Sequence, residues 1–163
     1  MRPLFKKGDK RDIKNYRPIS LLPVFSKILE RIMQTRLLNH LNDCNTLSNE
    51  QYGFRSGLNT DNATYQLTNG ILYALNNKLH IGGIFCGLGK AFDCVNHEIL
   101  LSKLKTYGIT GNHYKLYKSY LENRYRRTLV YDQMGNTITS ISPKVIHGVP
   151  QGSILGTLLF SFL

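Results

Sequence analysis

A run of apolar residues at helical spacing, close to the N-terminus, places the strongest limit on the fold. Seven apolar side chains recur at intervals of one, three or four residues, which puts them on one stripe of a helix. They are Ile28, Leu29, Ile32, Met33, Leu37, Leu38 and Leu41. The spacing predicts a helix over about 26–42, with Ser26 as its N-cap.

Similar spacing predicts further helices. Apolar residues three and four apart indicate a helix over about 61–78, capped by Thr60 or Asp61. Two more helices are predicted over about 97–107 and about 112–123. The first of these is expected to end at Gly108, because glycine is favoured just beyond a helix C-terminus.

The remaining stretches predict strands and loops. HIGGIFC at 80–86, apolar between turn-prone ends, predicts a buried strand. Arg127–Tyr131 and Thr137–Ile141 flank a Gly-containing loop at 133–136 and predict a β-hairpin. Residues 1–19, which are interrupted by proline and glycine, predict a basic loop.

Basic residues are concentrated at both ends of the sequence. Residues 1–36 carry a net charge of +7 and residues 101–163 a net charge of +6, whereas residues 37–100 carry −2, which gives +11 for the chain. Two basic ends around a nearly neutral middle favour a polyanion such as nucleic acid as the partner. A solvated surface is the alternative.

Several classes of protein are disfavoured by composition. No stretch approaches the roughly 20 apolar residues of a membrane span, and no secretory signal is recognised, so we expect no membrane partner. An odd number of cysteines without such a signal favours reduced thiols and an intracellular protein, in the cytoplasm or nucleus. The three are Cys44, Cys86 and Cys94. No histidine pairs with a second ligand at zinc spacing, so a zinc site is rejected.

Four longer phrases, in this order, carry a resemblance to a known family. They are KKGDKRDIKNYRPISLLPVFSKILERIM (6–33), LSNEQYGFRSGLNT (47–60), GIFCGLGKAFDCVNHEILLSKL (83–104) and HGVPQGSILGTLLF (147–160). Together they resemble the fingers and first palm section of reverse transcriptases from non-LTR (LINE-type) retrotransposons. The resemblance implies an α+β fold, a partial right-hand polymerase that is helix-rich with a short sheet and a β-hairpin. It also implies a single partial domain over 1–163, fingers-like over about 1–79 and an incomplete palm with inserted fingers elements over about 80–163.

The resemblance implies a metal-dependent chemistry for which this sequence lacks the ligands. In the family two Mg²⁺ ions, held by three carboxylates, stabilise the attacking and leaving oxygens when a primer on an RNA template is extended. The position of the first metal-binding Asp is occupied here by Gly87, which has no side chain. The other two carboxylates are expected as an Asp-Asp pair shortly after Phe160, and the 163 residues contain no such pair. We therefore expect no intact catalytic residue and no bound Mg²⁺. Asp93, the nearest carboxylate, is interpreted as a cap or turn residue.

Other positions match the nucleotide-binding motifs of the family. Phe92 falls where an aromatic ring blocks a ribose 2′-OH, and a core phenylalanine is the alternative. Gln151 and Gly152 match the turn beneath the incoming deoxynucleotide. Arg17 matches a basic fingers residue that holds the triphosphate, and Arg55 would touch the triphosphate or the template. Ordinary surface charge is the alternative for each arginine.

Three hypotheses remain open. The chain is an RNA-directed DNA polymerase domain that is inactive as it stands, a non-catalytic module that binds RNA template and RNA/DNA hybrid, or a pseudogene product. In the first two hypotheses, five basic side chains near the N-terminus are expected to contact backbone phosphates of the nucleic acid without distinguishing between bases. They are Lys6, Lys7, Lys10, Arg11 and Lys14.

The resemblance also leads to an expectation about stability. The strand at 80–86 would lack its sheet partners, and the apolar segment after the Gly-rich turn at 148–152 would lack packing partners. This segment contains Ile154, Leu155, Leu158, Leu159, Phe160, Phe162 and Leu163. Leaving such side chains in water forfeits about 1.5–3 kcal/mol each, so the isolated chain is expected to aggregate, or at best to be molten in its C-terminal half, while the helices at 26–42 and 61–78 persist.

Overall fold

The computed structural model describes residues 1–132 and 134–162, and these residues form helices and short antiparallel strands, in agreement with the α+β prediction. The helices are α1 (Val24–Asp43), α2 (Thr60–Asn76), α3 (His97–Thr106), α4 (Gly111–Leu121) and α5 (Ile154–Phe160). The strands are β1 (Arg2–Phe5), β2 (Tyr16–Ile19), β3 (Leu129–Tyr131) and β4 (Thr137–Thr139). Gln133 of the predicted hairpin loop and Leu163 of the terminal apolar segment lie outside the described residues.

The chain divides into two compact units. Unit 1 comprises Met1–Asn39 and Lys90–Leu163, and unit 2 comprises His40–Gly89. Most of the buried apolar side chains belong to unit 1. None of the helices in the described part of the chain is long and apolar enough to cross a membrane.

The N-terminal residues form a hairpin rather than the predicted loop. β1 and β2 pair antiparallel, with Phe5 opposite Tyr16, and the two rings meet edge to face at 5.5 Å. Pro3 and Pro18 face each other in this ladder. The prolines led to the loop prediction, but both strands of a two-stranded sheet are edges, where proline is tolerated.

Helix α1 is confirmed, but its predicted N-cap is wrong. The helix begins at Val24, so Ser26 lies inside it. The amide of Lys27 donates to the carbonyl of Pro23 at 3.1 Å, so the helical hydrogen bonds already start three residues before Ser26. Within unit 1, the stripe on α1 buries Met33 and Leu37, whereas Ile28 is half-exposed.

The elements from α3 to β4 follow the predictions closely. Asn96 caps α3 by accepting from the amide of Ile99, and Gly108 follows the helix with a φ of +82°. α4 lies within two residues of its predicted bounds at each end. β3 and β4 pair antiparallel, which confirms the predicted hairpin in a shorter form.

The expectation that the C-terminal segment lacks packing partners is wrong. Leu155, Leu158 and Leu159 on α5 are each at most 2% exposed. Phe160 stacks on Phe92 with ring centroids 4.8 Å apart, and Phe162 packs on Tyr107 at 5.5 Å. Unit 1 therefore supplies this apolar segment with a core of its own.

Two predictions in unit 2 are also wrong. Asn59, not Thr60 or Asp61, caps α2, because its side chain and that of Asn62 form a reciprocal capping box. Residues 79–88 form no regular structure, so the buried strand at 80–86 is not present. No strand among the described residues pairs with this segment, and Ile84 is 94% exposed. A strand needs partners for its backbone N–H and C=O groups, and the two adjacent glycines in this segment weaken a strand further.

Candidate functional site

The turn at 147–153 packs directly on the backbone before α3. The amide of Gly148 donates to Val95 O at 2.7 Å, and the amide of Val149 donates to Phe92 O at 2.8 Å. Gly148 has a φ of +85°, and a Cβ there would lie 2.9 Å from Phe92 O. Only glycine fits both this conformation and this approach. The buried ring of His97 contacts the carbonyl of Gly148 at 2.8 Å.

The side chain of Gln151 is held by a carboxylate. Its Nε2 donates to Asp93 Oδ2 at 3.3 Å, and Asp93 Oδ1 lies 3.7 Å from Arg126 Nη1. Asp93 ends a single 3-10 turn, as the turn interpretation expected, but α3 is capped by Asn96 instead. The contact between Asp93 and Gln151 was missed from the sequence, because no spacing rule joins residues so far apart.

The turn is also joined to β2. The amide of Ser20 donates to Gln151 O at 2.9 Å. Gly152 has a φ of +90°, and a Cβ there would lie 3.4 Å from Ile19 Cγ2. Arg17 is exposed on the same strand. The structure thus connects the strand that carries Arg17 with the turn that carries Gln151 and Gly152.

A buried carboxylate on α1 accepts hydrogen bonds from the residues that follow the turn. Glu30 on α1 is 2% exposed and accepts from the amide of Ile154 at 2.7 Å and from the hydroxyl of Tyr120 at 2.9 Å. Burial raises the pKa of Tyr120 to about 12, so its hydroxyl stays protonated and continues to donate. Ser153 accepts from the amide of Gly156 at 3.0 Å, which completes the cap of α5.

Glu30 was also missed from the sequence, although a signal was present. It lies three residues before Met33 and seven before Leu37, so it belongs to the buried face of α1. A carboxylate in the register of an apolar stripe indicates a buried acceptor with dedicated donors.

Phe92, the residue predicted to block a ribose 2′-OH and called the gate below, is half-buried and packs on Phe160. Arg55 belongs to unit 2, where its Nη1 donates to Ser48 O at 2.7 Å, so it supports its own loop. The structure therefore places Arg17, Phe92, Gln151 and Gly152 in one unit.

The connection between β1 and β2 holds the predicted phosphate-binding residues. Asp9 accepts from the amide of Arg11 at 2.9 Å, and Asp12 accepts from that of Lys14 at 2.9 Å. Gly8 has a φ of +93°, and a Cβ there would lie 2.7 Å from Asn15 Nδ2. Both carboxylates are engaged with the backbone, and all five basic side chains are exposed. They are Lys6, Lys7, Lys10, Arg11 and Lys14.

The described residues do not fit a two-metal site. Gly87 is exposed and offers no ligand, and Asp93 is engaged by Gln151 and by the cationic Arg126. Across residues 1–132 and 134–162, no group of three or more His, Cys, Asp or Glu side chains could hold a metal ion.

Comparisons with known proteins agree on one family. Residues 5–163 match the family described as reverse transcriptase (RNA-dependent DNA polymerase). The chain is 40% identical over 148 residues to the probable RNA-directed DNA polymerase from transposon BS of Drosophila melanogaster, which covers 90% of the chain and 16% of that protein. It is 37% identical over 150 residues to the RNA-directed DNA polymerase from mobile element jockey of the same species, covering 92% of the chain and 16% of the relative. The chain thus spans about a sixth of the length of these relatives.

Proposed function

Because the chain belongs to the reverse transcriptase (RNA-dependent DNA polymerase) family, we propose that it forms the nucleotide- and nucleic-acid-binding part of a retrotransposon polymerase. Its ligands would be RNA template, RNA/DNA hybrid and an incoming deoxynucleotide. The Gln151 turn carries the proposal. It receives a hydrogen bond from Ser20, donates one to Asp93 and is attached to Phe92 through Val149, so it is fixed before any ligand arrives.

The proposed nucleotide site lies in unit 1. Gly152 exposes its backbone without a side chain, which suits close approach by a nucleotide. Phe92 would exclude a ribose 2′-OH, and its packing on Phe160 supports this role because a gate must hold its ring in place. Arg17 would contact the triphosphate. Arg55 belongs to unit 2, so its predicted contact with the triphosphate or the template is a separate proposal and not part of this site. In this proposal residues of about 1–79 are fingers-like and those of about 80–163 form an incomplete palm with inserted fingers elements.

The gate can be tested with a matched pair of variants. Phe92→Val should raise the affinity for ribonucleotides relative to deoxynucleotides, because the steric block is removed. Phe85→Val, at a ring that is 83% exposed, should leave the ratio unchanged. Equilibrium binding of both nucleotide types to each variant gives the ratio, and an unchanged ratio for Phe92→Val would contradict the gate.

The basic connection between β1 and β2 is proposed to bind phosphates. Its five cations outnumber its two carboxylates, and the carboxylates are already bonded to backbone amides. Cations that neutralise phosphates release counterions, so the affinity should fall steeply with salt.

Binding of a labelled RNA/DNA hybrid, measured by fluorescence anisotropy over a salt series, tests the proposal. Changing Lys6, Lys7, Lys10 and Arg11 to Ala should lower the log–log salt slope by about 3, since each lost contact contributes roughly 0.7–0.9. A control variant loses the same number of positive charges elsewhere, by changing Lys27, Arg36, Lys115 and Lys118 to Ala. Its log–log salt slope should stay close to that of the wild-type chain. Equal losses in the two variants would remove the proposed surface, and no binding by the wild-type chain would remove the proposed function.

We further propose that the chain does not polymerise as it stands. Gly87 occupies the position of one metal-binding Asp, and this holds whatever follows residue 163. A Cβ at Gly87 would meet no atom within 4 Å, so an Asp would fit there. The same glycine favours the second candidate function, a nucleic-acid-binding protein that has lost catalysis.

A further inference from the structure

We propose that Arg124, Arg126 and Arg127 form a phosphate-binding pocket beside the Gln151 turn. The pocket has a volume of about 120 Å³, and Gly148 and Pro150 of the turn contribute to its wall. This inference depends on the proposed function in one respect, the choice of ligand. The ligand is a phosphate group, either of a nucleotide or of a nucleic-acid backbone.

The three arginines lie on a segment with a fixed backbone. The amide of Val145 donates to Arg124 O at 2.8 Å, and the amide of Arg126 donates to Pro143 O at 3.1 Å. A bridge between Tyr125 and Lys144 lies between these bonds. The segment therefore extends the β3–β4 hairpin toward the turn.

Each guanidinium is also held in place by a neighbour. Arg124 lies over the ring of Tyr120, 4.8 Å from its centroid. Arg126 pairs with Asp93, and Arg127 Nε donates to Ser142 Oγ at 3.0 Å. A guanidinium has five N–H donors, and each of these contacts uses at most two of them. Donors therefore remain for a ligand, on side chains that are already ordered.

The charge of the pocket favours an anion with several oxygen acceptors. Arg124, Arg126 and Arg127 are among its lining residues, as is Met1, and Asp93 is the carboxylate paired with Arg126. Planar guanidinium groups bind phosphate oxygens in pairs, which gives stronger and better oriented contacts than a lysine. The remaining wall includes the apolar side chains of Leu21, Leu22 and Val145. A phosphate group fits this chemistry.

Titration of the ¹⁵N-labelled chain by NMR tests the pocket with two separate probes. One is a deoxynucleoside triphosphate without metal, and the other is a short abasic oligonucleotide, which offers backbone phosphates but no bases. At least one of them should shift the amide signals of residues 124–127, 148 and 149. The arm that produces the shift identifies the source of the phosphate.

Two double variants complete the test. Arg124→Gln with Arg127→Gln should abolish these shifts and weaken the active probe about tenfold or more, as expected for lost charge-assisted hydrogen bonds. Lys115→Gln with Lys118→Gln, an equal change of charge on α4, should retain both. Signals at 124–127 that do not respond to either probe, or shifts that survive in the arginine variant, would overturn the pocket. Failure of the wild-type chain to bind RNA/DNA hybrid would instead count against the proposed function. The two failures can be distinguished, because the titration with the triphosphate does not use the hybrid.

Discussion

The turn at 147–153 and the segment at 79–88 both carry parts of the family motifs, yet their structures differ completely. In the turn Gly148, Val149 and Ser153 are buried, and backbone hydrogen bonds join it to Phe92, Val95 and Ser20. Residues 81–90 are all exposed, and 79–88 contain no helix or strand. A family motif in the sequence therefore does not by itself determine the backbone conformation. The backbone is ordered where residues of the same compact unit supply hydrogen-bond and packing partners.

The largest effect is expected from adding a single methyl group inside the turn. Gly148→Ala should reduce the free energy of unfolding by up to about 5 kcal/mol, the sum of about 1–2 for the positive φ and about 1–3 for overpacking. Urea unfolding, followed by circular dichroism, measures the loss. Gly87→Ala, at an open position in the exposed segment, is the matched control and should change stability by no more than about 1 kcal/mol. Similar losses in the two variants would remove the distinction between the regions.

The next effect concerns the buried carboxylate below the turn. Glu30→Ala should cost about 3 kcal/mol, because the amide of Ile154 and the hydroxyl of Tyr120 would lose their acceptor. Glu98→Ala, at an exposed position in the first turn of α3, should cost no more than about 1 kcal/mol. Equal costs in urea unfolding would show that Glu30 does not support the turn.

A smaller effect is expected at high pH. The folded-state pKa of Tyr120, about 12, lies above the unfolded value of 10.0. The unfolded chain therefore loses this proton first, so stability is fully present below pH 10 and declines by about 2 kcal/mol as the pH rises to 12. Tyr120→Phe should flatten this decline, whereas Tyr73→Phe, at an exposed ring, should leave it unchanged. A decline that is identical in all three proteins would rule out Tyr120 as its source.

The smallest effect is expected in the exposed segment. Ile84→Ser should change the free energy of unfolding by less than about 0.5 kcal/mol, because the side chain is already in water. Leu155→Ala on α5, which is 0% exposed, should cost about 2–5 kcal/mol in the same assay. A large cost for Ile84→Ser would mean that the segment packs on other residues in solution.

The sequence predicted the elements whose information is local. Apolar spacing located α1 to α4, and a glycine beyond α3 marked its end, whereas α5 was predicted only as an apolar segment. Caps were less predictable because neighbouring polar residues compete for them. Asn59 prevails over Thr60 because Asn59 and Asn62 cap each other, and Pro23 starts α1 ahead of Ser26. The strand at 80–86 was misjudged because a strand depends on partners that are distant in sequence.

The candidate site was only partly visible for the same reason. Gln151, Gly152 and Phe92 were selected by their motifs, but Asp93 was interpreted only as a local cap or turn. Its contacts with Gln151 and Arg126 span 58 and 33 positions of sequence and follow from the fold rather than from spacing. The assignment of ligands to these residues stays a prediction.

Primer extension by the purified chain is the most direct test of binding without catalysis. The chain is incubated with primed RNA template, deoxynucleotides and Mg²⁺ or Mn²⁺, beside Gln151→Ala and Gly87→Asp variants, and hybrid binding is recorded in the same samples. We expect binding by all three proteins and no extension by the wild-type chain or the Gln151→Ala variant, because Gly87 offers no metal ligand at the position where two-metal chemistry needs a carboxylate. Extension by the wild-type chain above the Gln151→Ala variant would contradict the proposal.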